Sequence, residues 1–172
     1  MEFLRNINPD EIQIVFWAVL ILPWVLFFSL VDWNKIKTLN SVGLLIGLLA
    51  MIGDTIGTSL KLWIYPVELL PVFHNFFPIN LSLLPVESML TVQFMPKNPI
   101  KKIALILCVG LFNVIAEYLF EGNTSAVFYP YWKPIYSLPF YLALFYFGYI
   151  YHNWITRDKA NQPIASDSQT GD

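Results

Sequence analysis

Five apolar runs divide this chain, each close to the roughly 20 residues that a helix needs to cross the hydrocarbon of a bilayer. They are 12–31, 42–60, 77–95, 103–120 and 135–155. A backbone in hydrocarbon must satisfy its own hydrogen bonds, and runs of this length do so as helices. The expected fold is therefore all-α, a polytopic transmembrane helix bundle of about five spans. Composition agrees. The chain is 56% hydrophobic and only 13% charged, against about 25% charged in soluble domains. Its mean hydropathy is +0.57. Residues 1–155 read as one transmembrane domain, and the polar stretch 156–172 as a disordered cytoplasmic tail.

The first run follows Asp10 and Glu11 and has no small-x-small cleavage site after it. It reads as a retained helix rather than a signal peptide. Pro23 is expected to kink it, and Pro139 falls in the first turns of the fifth run. The stretch 61–76 is apolar but short, and carries Pro66, Pro71, Lys61, Glu68 and His74. It reads as an interfacial or re-entrant segment, with a sixth span as the competing topology.

Lys and Arg test the threading. With five spans, one side collects Lys35, Lys37, Lys97, Lys101, Lys102, Arg157 and Lys159, and the other only Arg5, Lys61 and Lys133. The positive-inside rule then places the C-terminus in the cytoplasm and the N-terminus outside the plasma membrane. Tyr129, Tyr131, Trp132 and Tyr136 before the fifth run, and Tyr149, Tyr151 and Trp154 at its end, read as interfacial aromatic belts.

Asp54, Glu87 and Glu117 lie inside these runs. A carboxylate at a helix centre costs roughly 2.5–3.5 kcal/mol to insert, so such residues pack against protein or water and mark candidate sites. In the second run Gly43, Gly47, Ala50, Asp54, Thr58 and Lys61 share one face. Gly43-x-x-x-Gly47 and Gly53-x-x-x-Gly57 fit the small-residue pattern of close helix packing. That face also offers a surface for a homo-oligomer. In the fourth run Gly110, Asn113 and Glu117 share a face, and Asn113 and Glu117 are spaced to meet. Glu117 is also near enough to its helix end to snorkel. In the third, Pro85 and Glu87 occupy first-turn positions of a helix beginning within the membrane. Such broken helices are where transporters often build sites.

At 1.5 Å per residue, Glu117, Asp54 and Glu87 descend from the outer face to depths of roughly 5, 9 and 15 Å. This predicts one acidic, outward-opening pocket containing Asp54, Glu87, Asn113 and Glu117, with Lys61 and His74 at its mouth. The bland reading gives each acid a place in a helix interface. Tyr141, Phe145, Tyr149 and His152 form a stripe that fits helix packing better than a lipid site.

A net charge of −2 gives nucleic acid no surface. Cys108 is the single cysteine, and His74 and His152 lack metal-ligand spacing, so no metal or cofactor is expected. The bilayer is the expected partner, and no residue names a ligand.

Trp63-Ile64-Tyr65-Pro66, the pairs Leu70-Pro71 and Leu84-Pro85, and Gln93 resemble a family of small uncharacterised multi-span membrane proteins of spore-forming Gram-positive bacteria. The resemblance covers length, hydropathy and this central block, and carries no activity. Pro85-Val86-Glu87 is also similar to the Pro-x-Glu motif of membrane-embedded lycopene cyclase domains, although Ser88 stands where those usually have a second acid. Three functions follow as expectations. The first is binding or movement of a proton, cation or small solute at the buried acids. The others are an enzyme acting on an isoprenoid or other lipid, and an assembly partner of another membrane protein.

Overall fold

Two capping side chains, Asp32 and Asn98, start helical structure well ahead of the apolar runs that follow them. The structure, a computed structural model, describes residues 9–66, 78–123 and 127–160. Its five α-helices are α1 (Pro9–Leu30), α2 (Ile36–Ser59), α3 (Leu84–Gln93), α4 (Pro99–Asn123) and α5 (Leu138–Ala160). The Asn98 side chain accepts the Ile100 N–H at 2.9 Å and the Lys101 N–H at 3.3 Å. Pro99 follows at the first position, where a missing N–H costs nothing. α4 therefore starts earlier than residue 103. Asp32 likewise caps a 3₁₀ turn, Trp33–Lys35, through the Asn34 N–H at 3.1 Å, and pairs with Lys35 at 3.0 Å. The Lys35 ammonium and the Asn34 N–H hold the Asp32 carboxyl below its ordinary pKa. α2 continues from this turn, so it starts at Ile36 rather than 42. A second 3₁₀ turn, Pro134–Ser137, leads into α5, which runs on to Ala160 into the stretch expected to be a polar tail.

α2 ends in a two-bond turn. The Leu62 N–H reaches the Gly57 carbonyl at 2.9 Å and the Lys61 N–H reaches that of Thr58 at 3.0 Å. This motif needs a left-handed residue after the helix, usually glycine. Here Lys61 fills it at φ 57°, at a cost of about 1–2 kcal/mol. Beyond it the chain pairs Ile64 with Phe128 in an isolated antiparallel bridge. The stretch 67–76, with Glu68, Pro71 and His74, lies outside the described residues.

The third run does not start at Pro85. A π-helical turn, Ile79–Leu83, precedes α3 and runs straight into it, with the Leu84 N–H bonded to the Ile79 carbonyl. A proline inside an α-helix loses a hydrogen bond and clashes with the carbonyl four residues back. The wider π turn accommodates Pro85, so the expected break is a change of pitch in a continuous helix.

α3 is the centre of the bundle and touches all four other helices. Leu84, Pro85, Val86, Ser88, Met89, Thr91 and Val92 are buried, which covers most of its circumference. α5 packs against both α2 and α4, and the π turn packs on α1. Gln93 ties the far end of α3 to α1. Its side-chain oxygen accepts the Asp32 N–H at 2.8 Å and its amide donates to the Leu30 carbonyl at 2.9 Å. Ser82, fully buried, donates to the Leu20 carbonyl at 2.7 Å.

The bundle exposes apolar stripes and sets a few buried polar side chains within a largely apolar core. Leu44, Leu48, Ile52, Ile56 and Leu60 form an exposed stripe along α2, and Ile103, Leu107, Leu111, Ile115 and Leu119 one along α4. Asp54, Asn80, Ser82, Ser88, Thr91 and Asn113 are buried. Among the described residues no buried side-chain nitrogen or oxygen lacks a partner. Among the described residues three helical stretches are long and apolar enough to cross a membrane: Gln13–Leu30, Trp33–Ser59 and Pro99–Glu121. The described residues thus form the helical bundle of a membrane protein. The helix from Pro78 to Gln93 is shorter than the roughly 20 residues of a span. α5 has the length, but its tyrosines, His152 and Asn153 dilute its hydropathy.

Candidate functional site

A cavity of about 310 Å³ opens at the end of the bundle where α2 and α4 finish and α5 begins. Asp54 and Glu117 both border it. Asp54 comes from the last turns of α2, and its carboxylate is the hub of the site. Oδ1 accepts the Trp63 indole N–H at 2.7 Å and the Tyr65 hydroxyl at 2.8 Å. Oδ2 accepts from the Asn80 amide at 2.8 Å. Trp63 and Tyr65 stand on the segment that turns back after Lys61, and Asn80 on the π turn.

Gly57 makes the first bond possible. A Cβ there would lie 2.0 Å from Trp63 Cζ2, so only glycine lets the indole lie flat on the helix with its N–H on Asp54. The other small residues of this face have different neighbours. A Cβ at Gly43 would meet Met89 of α3 at 2.8 Å, and one at Gly47 would meet the Asn80 carbonyl oxygen at 3.0 Å. At Gly53 it would meet Phe140 of α5 at 2.7 Å. The glycine face is thus covered by the chain's own α3, π turn, Trp63 and Phe140.

Glu117 projects from α4 to the other side of the cavity. Its Oε2 accepts the Ser137 hydroxyl at 2.8 Å, and its Oε1 the Tyr141 hydroxyl. Trp132 in turn donates to Ser137 at 3.0 Å. Tyr129 borders the cavity beside Glu117. Glu117 therefore faces the interior and does not snorkel. Apolar and aromatic side chains complete the wall, including Leu62, Phe120, Val127 and Phe140. Trp63 and Trp132 meet edge to face at 5.4 Å.

Glu87 and Asn113 are not among the cavity's lining residues. Asn113 donates to Glu87 at 2.7 Å across the α3–α4 interface, and to the Val109 carbonyl of its own helix at 3.0 Å. Spacing suggested that Asn113 would meet Glu117, but the α3 acid takes its amide instead. Lys61 is exposed at the turn after α2, near the cavity's end of the bundle. His74 lies outside the described residues. Among those residues, no three His, Cys, Asp or Glu side chains converge as metal ligands.

Trp63, Tyr65, Asn80, Trp132, Ser137 and Tyr141 join the site without any signal in the sequence that marks them as its members. Trp132 and Tyr129 fell in an expected interfacial belt. Two of that belt's members, Tyr131 and Tyr136, are exposed; the other two turn inward. Tyr141 and Phe145 of the α5 stripe are buried in the bundle. Comparison with known protein families, curated proteins and solved structures finds no match for this chain.

Proposed function

We propose that the chain is a five-span plasma-membrane protein, N-terminus outside, that binds a proton, cation or small cationic solute in the cavity between Asp54 and Glu117. The observation that carries this reading is two carboxylates bordering one cavity whose wall is otherwise mostly apolar and aromatic. Acids in a membrane protein mark ion or substrate sites when they share a cavity rather than a dry interface. The helix order supports the threading. α2 and α4 end, and α3 and α5 begin, at the cavity, while Lys35, Lys97, Lys101 and Lys102 gather at the opposite end.

A stabilisation screen tests the site. A ligand held only by the folded protein adds about 2.7 kcal/mol at a hundredfold excess over its dissociation constant. Cationic solutes should raise the thermal midpoint of the parent in detergent, and the variant with Asp54→Asn and Glu117→Gln should lose that rise. Stabilisation by anions, or by no solute class, would remove the reading. Threading is tested by labelling with a membrane-impermeant thiol reagent in a Cys108→Ser background. Lys133→Cys should react in intact cells and Lys97→Cys only after permeabilisation. The reverse pattern would invert the orientation.

A second reading keeps a specific observation: two acids in one largely apolar cavity also suit an enzyme protonating an isoprenoid or other lipid. Its motif acid, Glu87, stands in the α3–α4 interface instead of on the cavity wall, which favours the solute-binding reading.

A further inference from the structure

The cavity's hydrogen-bond inventory narrows what it can hold. Its donors point at its own acceptors. The N–H of Trp63, the hydroxyl of Tyr65 and an N–H of Asn80 are spent on Asp54. The hydroxyls of Ser137 and Tyr141 are spent on Glu117, and the Trp132 N–H on Ser137. The space is bordered by two carboxylates and by indole and phenol rings. An anion would meet two acids there. A cationic group meets carboxylate charge and electron-rich rings.

Size and wall chemistry separate the cationic choices. At about 310 Å³ the cavity falls at the lower end of small-molecule sites, roughly 300–1,000 Å³. A bare metal ion would leave most of that space empty. It would also want several hard oxygen ligands, whereas the wall is dominated by rings and aliphatic chains. Aromatic faces attract alkylated ammonium groups, whose charge is spread over a poorly hydrated surface.

We infer that the cavity takes a small organic ammonium, with its nitrogen held by Asp54 and Glu117 and its alkyl body against Trp63, Trp132 and Tyr129. The inference rests on the cation-binding reading above and names its ligand class. The paired segments carrying Ile64 and Phe128, joined by bonds of 2.8 and 2.9 Å, lie across the same end of the bundle. Trp63 and Tyr129 flank that bridge, so two of the ligand's three aromatic contacts sit on these paired segments.

The test uses the full chain in lipid nanodiscs, with titrations of choline and benzyltrimethylammonium. The comparators are 3,3-dimethyl-1-butanol, the uncharged carbon analogue of choline, and sodium and potassium ions. At least one ammonium probe should bind ten times or more tightly than the alcohol. Glu117→Gln should weaken it at least tenfold. Trp132→Leu, which keeps bulk but removes the ring, should weaken it about tenfold, and Trp154→Leu, on the outer surface, should not. If Glu117→Gln fails to fold, the Trp132→Leu comparison still decides. Ammonium probes binding no better than the alcohol, or equally well to Trp132→Leu, would overturn the inference. If sodium or potassium then still binds in a Glu117-dependent way, the cation-binding reading survives. If neither does, both fall.

Discussion

Replacing Asp54 with leucine is expected to destabilise the protein by about 2–3 kcal/mol, even though it removes a charge from a membrane protein. Two effects oppose each other. Losing the carboxylate relieves an insertion cost of roughly 2.5–3.5 kcal/mol for an acid at a helix centre. It also strands the Trp63 N–H, the Tyr65 hydroxyl and the Asn80 amide. Each buried donor left unmade costs about 1–3 kcal/mol. Three such losses outweigh the relief, especially since Asp54 borders a cavity and never bore the full cost of hydrocarbon. Asp54→Asn keeps a carbonyl acceptor and should lose less. Adding Asn80→Leu to Asp54→Leu should recover part of the loss, because removing both partners of a bond is milder than removing one. Reversible unfolding in mixed detergent would measure all three. A leucine variant within about 0.5 kcal/mol of the parent would show that the three donors find other partners.

The second large effect is expected at Gly57. Alanine is normally the better helix former by about 1 kcal/mol. At this position its Cβ would fall 2.0 and 2.1 Å from two atoms of the Trp63 ring. The indole is rigid and its N–H is held by Asp54, so the ring must lift off the helix and release that bond. Overpacking of this kind costs about 1–3 kcal/mol and the lost hydrogen bond about 1 more. The net for Gly57→Ala is a loss of about 1–3 kcal/mol, with a changed tryptophan emission as the ring moves. Gly148→Ala is the matched control. A Cβ there meets Ile46 at no less than 3.3 Å, a flexible side-chain end, and the variant should match the parent or exceed it. Equal stability of the two alanine variants would refute the account of Gly57.

The helices were largely legible from the residues because hydropathy reports membrane length directly. Their ends were less so. Asn98-Pro99 is a plain capping signature, but it lies outside the apolar run and carries no hydropathy signal. The π turn at Ile79–Leu83 has no hydropathy signal, since it shifts pitch without changing composition. Within the site, Asp54 and Glu117 stood out because charge in an apolar run is conspicuous. Their partners did not. A tryptophan that donates to a buried acid and one that lies in the headgroups look alike in sequence, as Trp63 and Trp132 show. Asn80 was invisible because its relation to Asp54 exists only once the π turn crosses α2. Glu87 shows the opposite failure: its motif context was suggestive, but the amide of Asn113 on α4 places it in an interface.

The order in which Asp54 acquires its partners has a consequence for biogenesis. Trp63 and Tyr65 lie only nine and eleven residues further along the chain, while Asn80 lies twenty-six. During synthesis the acid therefore emerges together with the Trp63 and Tyr65 donors, on a segment that folds back through the turn at Lys61. Local pairing can thus mask the carboxylate before α3 has been made, and the Asn80 amide joins it only once the central helix is in place.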